Sequence, residues 1–346
     1  MKALIKSSTN RSILILLVGI FILMSILAPR KFLTFSNMIS MAYQLPLIAF
    51  LSIGMMISML TGGINLAIIA TANFTGIITF SILQTFAGEA TSQASILQSL
   101  IALGGGLIAA LVIGAVMGYL IAYIEVPAIL ATLAVMILLQ GVNVVLTKGY
   151  TLSGFPSFIT NIGNGTVGRI PIPTIILIVV CIILYVVLRK TVFGRSLYIL
   201  GANPIAAKFS NVNVRASLMG AYMLSAFFSA LTAFIMMGQF NSVKANYAES
   251  YLLVAVLACF LGGVDPFGGT GKLTGMVLSI ISLQLISTGV TILRMDPFFI
   301  QAMWGVIIIA LIVANKFGKQ IKETRRLRTA RLEQKSEEKV KNRNRW

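Results

Sequence analysis

Ten apolar runs follow one another along the chain, near residues 12–28, 42–60, 64–86, 97–123, 127–146, 171–189, 216–238, 250–262, 272–291 and 297–316. Most approach the ~20 residues that an α-helix needs to cross the hydrocarbon of a bilayer. Backbone N–H and C=O groups find no water at that depth, and uninterrupted apolar runs of this length satisfy them internally as helices. The expected fold is therefore all-α and polytopic, with about ten transmembrane helices. Composition agrees: 58% of the 346 residues are hydrophobic and 10% charged, against ~45–50% and ~25% in soluble domains. So much apolar surface exceeds what one soluble core buries, which excludes a soluble enzyme. The run at 250–262 is too short to cross alone, and the one at 97–123 is long enough to tilt.

The formal net charge is +18, yet 12 of the 27 Lys and Arg residues lie in Lys316–Trp346. The excess is a polybasic tail rather than a nucleic-acid surface, and no nucleic-acid partner is expected. Glu323, Glu333, Glu337 and Glu338 are interspersed in it. It reads as a solvated or frayed helical extension that orients the chain and attracts anionic membrane lipid. Positive charge is held on the cytoplasmic side during insertion. With both termini cytoplasmic, 21 basic residues lie inside and 6 outside, the pair Arg30 and Lys31 being the local exception. The first run follows Lys2, Lys6 and Arg11 but precedes Pro29-Arg30-Lys31 with no small-residue cleavage site, and is read as a retained helix rather than a signal peptide. The expected organisation is a membrane domain over 1–316 and a cytoplasmic tail over 317–346.

The chain has no histidine, and Cys181 and Cys259 sit inside apolar runs. That leaves no His/Cys metal cluster, no Cys–His pair and no disulfide framework. The acids in or near the membrane region are Glu125, Asp265, Glu249 and Asp296, with no two close in sequence. Serines and threonines lack an activating base, and no glycine loop precedes a Lys-Ser/Thr pair to hold nucleotide. No catalytic residue, metal or cofactor is expected, and any ATP must be hydrolysed by another chain. Transport, channel formation or scaffolding remain.

The most informative segments are two glycine clusters that interrupt apolar runs, Thr61-Gly62-Gly63-Ile64-Asn65-Leu66 and Gly262-Gly263-Val264-Asp265-Pro266-Phe267-Gly268-Gly269-Thr270-Gly271. Paired breaks in two halves of a membrane chain point to a translocation path; tight interfacial turns would use the same glycines. Gly62, Gly63, Asn65, Gly262, Gly263, Asp265, Gly268 and Gly269 are the candidate pathway residues, with Asp265 alternatively capping the Gly268, Gly269 and Gly271 N–H groups. Thr132, soon after Pro127, either lines the cavity or bonds back to a backbone carbonyl. Gly106, Ala110, Gly114 and Gly118, spaced by four, allow two backbones to approach closely, within the bundle or at a dimer seam. Arg189–Arg215 is the one sizeable polar connection on the inside. There Asn203-Pro204 reads as an N-cap followed by proline at the first helical position. It opens a short helix whose small face at Ala206 and Ala207, beside Phe209, suits insertion into a partner's groove.

Taken together these residues resemble the permease subunits of bacterial ATP-binding cassette importers for ribose and related sugars, including those for the furanosyl autoinducer. The resemblance runs from about Leu45 to Lys316. Gly62-Gly63-Ile64-Asn65-Leu66 is similar to the family's Gly-Gly-Ile-Asp-Leu-Ser segment. Val126-Pro127 with Thr132-Leu133, Gly141 and Gly149 is similar to its next block. Phe193-Gly194-Arg195, Gly201, Asn203, Ala206-Ala207 and Val212-Asn213-Val214 resemble its cytoplasmic coupling segment, and Gly262–Gly271 its second glycine block. Asn65, Ala67, Asn211 and Asp265 stand where the family usually has Asp, Ser, Gly and Ser or Thr. The resemblance implies a multi-pass permease of the bacterial cell membrane that passes a sugar or sugar-like solute and does no covalent chemistry. It implies three partners: an ATP-binding cassette subunit docked on Gly194, Arg195, Gly201, Asn203, Ala206 and Ala207, an extracytoplasmic solute-binding protein, and a second permease chain. A nucleoside permease of a related branch and an energy-independent channel are the competing readings.

Overall fold

The computed structural model describes residues 8–88, 90–296, 298–310 and 313; the basic tail expected over 317–346 lies outside them. The chain divides into two compact units, Met1–Pro297 and Phe298–Trp346. In the first, the helices are α1 (Ser8–Leu27), α2 (Pro29–Phe32), α3 (Phe35–Leu60), α4 (Ile68–Ala87), α5 (Ile96–Ala122), α6 (Ala128–Thr147), α7 (Ser157–Asn164), α8 (Ile172–Lys190), α9 (Val192–Ala202), α10 (Pro204–Phe209), α11 (Val214–Phe240), α12 (Tyr251–Leu261) and α13 (Leu273–Ile292). The described part of the second unit is an apolar helix, α14 (Phe298–Ala310). The strands are two-residue pieces: β1 (Leu152–Ser153) pairs antiparallel with β4 (Ser242–Val243), and β2 (Thr166–Val167) with β3 (Ile170–Pro171).

Each of the ten apolar runs holds a helix, and local chemistry sets its ends. Thr34 starts α3 well before the run at 42, its Oγ1 accepting from Asn37 N at 3.3 Å. Ser95 and Gln98 form a reciprocal capping box on α5, which satisfies two otherwise orphaned N–H groups. Asn213 Oδ1 caps α11 at Ala216 N, 3.0 Å. Among the described residues seven helices are long and apolar enough to cross a membrane, fewer than the ten runs. As expected of the run at 250–262, α12 is short: its 11 residues rise only ~16 Å against a ~30 Å hydrocarbon core.

Burial separates inner from outer helices. The apolar window of α3 is 83% buried, whereas those of α5, α6 and α8 are 22–28% buried, their outward Ile, Leu and Val side chains being suited to lipid. α11 packs against α3, α4 and α5, and α13 against α1 and α3. The small-residue ladder of α5 works inside the bundle: a Cβ on Gly114 would meet Ala226 Cβ at 2.7 Å and Met223 Cα at 2.8 Å, and one on Gly118 would meet Met219 Cα at 2.9 Å. Those three partners lie on α11, so Gly114 and Gly118 let the two long helices touch, while Gly106 lies against Thr75 and Thr79 of α4.

Candidate functional site: a glycine junction and a cleft beside a half-helix

Three segments far apart in sequence meet at one end of the bundle. Gly269 N donates to Leu60 O at 3.0 Å, joining the second glycine block to the last turn of α3. Gly201, near the end of α9, is wedged between them: a Cβ there would strike the Leu60 carbonyl oxygen and the Gly269 nitrogen, all backbone. Gly268 has φ +95°, and a Cβ on it would lie 2.8 Å from both Gly201 Cα and Gly62 N. Tyr198 OH donates to Gly271 O at 3.0 Å. Burial pushes the Tyr198 phenol up, opposed by the Arg189 charge, so at neutral pH it stays protonated and can donate. Both glycine blocks thus rest on the connection between α8 and α11 largely through backbone-to-backbone contact at Gly201, Gly268 and Gly62.

The first block is anchored rather than open. Asn65 is fully buried; its Nδ2 donates to Ser225 Oγ at 3.0 Å and its Oδ1 accepts from Ala67 N at 3.0 Å. Thr132 Oγ1 bonds back to Ala128 O at 2.9 Å and across to Ile64 O at 3.0 Å. Gly63 leaves room for the Tyr222 hydroxyl and Ala128. In the second block, Gly262 lies against α13, where a Cβ would meet Met276 Cα at 3.0 Å, and Gly263 turns with φ +76°. Asp265 Oδ1 accepts from Phe267 N at 3.1 Å, while Gly268 N goes to the Asp265 main-chain oxygen and Gly269 N to Leu60.

In the connection between α8 and α11 Asn203 caps α10 as its sequence suggests, Oδ1 accepting from Ile205 N at 2.9 Å and Ala206 N at 3.0 Å. Asn211, where the resembled family usually has Gly, has φ +56°, a left-handed conformation that Asn tolerates better than most residues. Gly194 is buried against the last turn of α8, and Arg195 is exposed. Ala206 is exposed, but Ala207 is turned inward and fully buried in its own bundle. The outward apolar pair is Ile205 and Phe209, 69% and 89% exposed, one helical turn apart.

A second feature lies deeper. After β4 the chain turns through Lys244–Ser250, with Ala248 at φ +58°, and Asn73 Nδ2 in α4 holds this turn by donating to Ala245 O at 3.1 Å and Tyr247 O at 3.0 Å. The turn leads directly into the short α12. Beside it is a cleft of about 160 Å³ lined by Leu66, Ile69, Ala70, Asn73, Met136, Gln140, Ala245, Glu249 and Leu252. Sequence reasoning named Glu249 only as a nearby acid and missed Asn73 and Gln140. The signal was an amide inside an apolar run, but Asn143 and Gln284 carry the same signal without lining the cleft: Asn143 bonds to the main-chain oxygen of Ala70 behind its wall, and Gln284 to Gln44.

Lipid-facing outer helices, a half-helix and a partly polar cleft define a polytopic α-helical transport protein. The particular family follows from comparison: residues 37–315 match the family described as branched-chain amino acid transport system / permease component, and the chain belongs to it. It is 30% identical over 312 residues to the ribose import permease protein RbsC of Escherichia coli K12, covering 89% of this chain and 94% of that protein. It is 29% identical to RbsC of Bacillus subtilis 168 over 86% of this chain and 91% of that one. To the galactose/methyl galactoside import permease protein MglC of E. coli K12 it is 33% identical, over 57% of this chain and 61% of that one. No solved structure matches. The protein is a membrane-spanning permease subunit of an ATP-binding cassette importer rather than an enzyme, a multi-pass protein that works with an ATPase and a solute-binding protein.

Proposed function

We propose that this permease imports a sugar or sugar-like solute, pairs with a second permease chain, and takes its energy from ATP bound wholly by cassette subunits. Near full-length similarity to ribose import permeases carries the solute class. Both termini and the α9–α10 connection lie in the cytoplasm on this reading. The glycine junction joins that connection to both glycine blocks, giving closure of the cassettes a path into the bundle, whose two arrangements expose the cleft to one side and then the other. Uptake of labelled ribose and galactose by proteoliposomes holding permease, cassette and loaded binding protein tests the solute class. ATP-dependent accumulation of either sugar is expected; accumulation of nucleosides alone, or uptake without a cassette, overturns it.

Two further results are expected. Cysteines introduced at exposed Ser210 and Lys148 should be modified from opposite sides of intact cells, Lys148→Cys by an impermeant reagent added outside. Modification of both from one side contradicts the assigned topology. Ile205 and Phe209 are expected to provide the apolar contact for the cassette, since a small outward helix offers its partner few other anchors. Phe209→Ala removes a large exposed ring, and truncating an aromatic anchor of an interface costs about 2 kcal/mol or more, roughly thirtyfold in affinity. Cassette retention on affinity-purified permease should fall accordingly, with the fold of the permease intact.

A further inference from the structure

We infer that Glu249, Gln140 and Asn73 form a subsite for the hydroxyl groups of a neutral monosaccharide, about midway along the path; this rests on the sugar-import reading above. The cleft opens where α12 begins, and α12 then runs ~16 Å toward the second glycine block, which puts the subsite about half a ~30 Å hydrocarbon thickness from the glycine junction. Asn73 is 1% exposed. Its amide orientation is set by two carbonyl oxygens, Ala245 O and Tyr247 O, which only the NH₂ side can face. The opposite atom, Asn73 Oδ1, is a buried acceptor with no donor among the described residues. A buried acceptor left without a donor is costly; Asn143 Oδ1 and Gln284 Oε1 share that state, but of the three amides Asn73 is the one that lines the cleft, where a small shift of its cover would let a solute hydroxyl reach it.

The other groups fit the same ligand. Glu249 is exposed at the rim and, when ionised, only accepts hydrogen bonds; Gln140 both accepts and donates. Ile69, Met136 and Leu252 supply apolar surface for the C–H face of a ring. The volume of about 160 Å³ is the room of roughly five waters, enough for one small ring. Charge separates this solute from an anion. The start of α12 would attract an anionic carboxylate through its positive dipole end, but Glu249 already places negative charge there, and no cation lines the cleft.

The test uses the complete complex in proteoliposomes with ribose-loaded and galactose-loaded binding protein, comparing wild type with Glu249→Gln and Gln140→Leu. Both side chains lie at least partly at the surface and neither change opens the core. The expected result is a fall of about tenfold in sugar accumulated per ATP hydrolysed, with ATPase stimulation by loaded binding protein retained, a loss of about 1.4 kcal/mol in the solute's passage. If wild type accumulates neither sugar, the sugar-import reading fails and the subsite with it. If wild type accumulates sugar and both variants keep its transport-to-ATP ratio, the subsite alone is overturned. Loss of stimulated ATPase together with uptake assigns these residues to the conformational cycle and overturns it as well.

Discussion

Gly201→Val is expected to abolish coupled uptake and to give the largest loss of stability of any single change at the glycine junction. The side chain would enter a space bounded by the Leu60 carbonyl, the Gly269 nitrogen and Gly268 C. None of these is a side chain that can rotate aside. Overpacking a fitted contact costs about 1–3 kcal/mol where neighbours yield, and more where they do not. Forcing the segments apart also breaks the bond from Gly269 N to Leu60 O, a further ~0.5–1.5 kcal/mol. Thermal unfolding of the detergent-solubilised permease and uptake in vesicles read the two effects. Gly141→Ala is the control: nothing lies within 4 Å of a Cβ at that helical position, and alanine gains ~1 kcal/mol of helix propensity over glycine. Normal uptake by Gly201→Val would show that the coupling segment and the glycine blocks do not meet as described.

Asn65→Leu is expected to destabilise the bundle almost as much by a different route. It deletes the bond to Ser225 and the acceptor for Ala67 N in the turn that leads into α4. Losing a hydrogen bond costs ~0.5–1.5 kcal/mol, and leaving a buried polar partner unsatisfied costs about 1–3 kcal/mol more. Asn65→Asp should fall between wild type and Asn65→Leu, because a carboxylate still accepts from Ala67 N and the Ser225 hydroxyl can turn to donate. The pair of variants therefore separates loss of hydrogen bonding from change of charge. Equal thermal stability of wild type and Asn65→Leu would contradict an anchoring role for this side chain.

The sequence by itself determined the all-α membrane fold, because burial in hydrocarbon requires helices and a helix announces its span through an apolar run. It also determined a local end whose chemistry lies within a few residues: the Asn203-Pro204 start of α10 depends on nearest neighbours alone. Both glycine blocks stood out because consecutive glycines interrupt helices. Only the tertiary structure decided what those glycines do. Gly201, Gly268 and Leu60 are far apart along the chain, and backbone meeting backbone leaves no compositional trace. The same holds for Ala206 and Ala207, adjacent small residues of which one faces outward and the other is buried, a choice made by the helix's seat on the bundle. The cleft was least legible. Asn73, Gln140 and Glu249 come from three separate segments, and they converge only because the turn at 244–250 enters the bundle and is held there by Asn73.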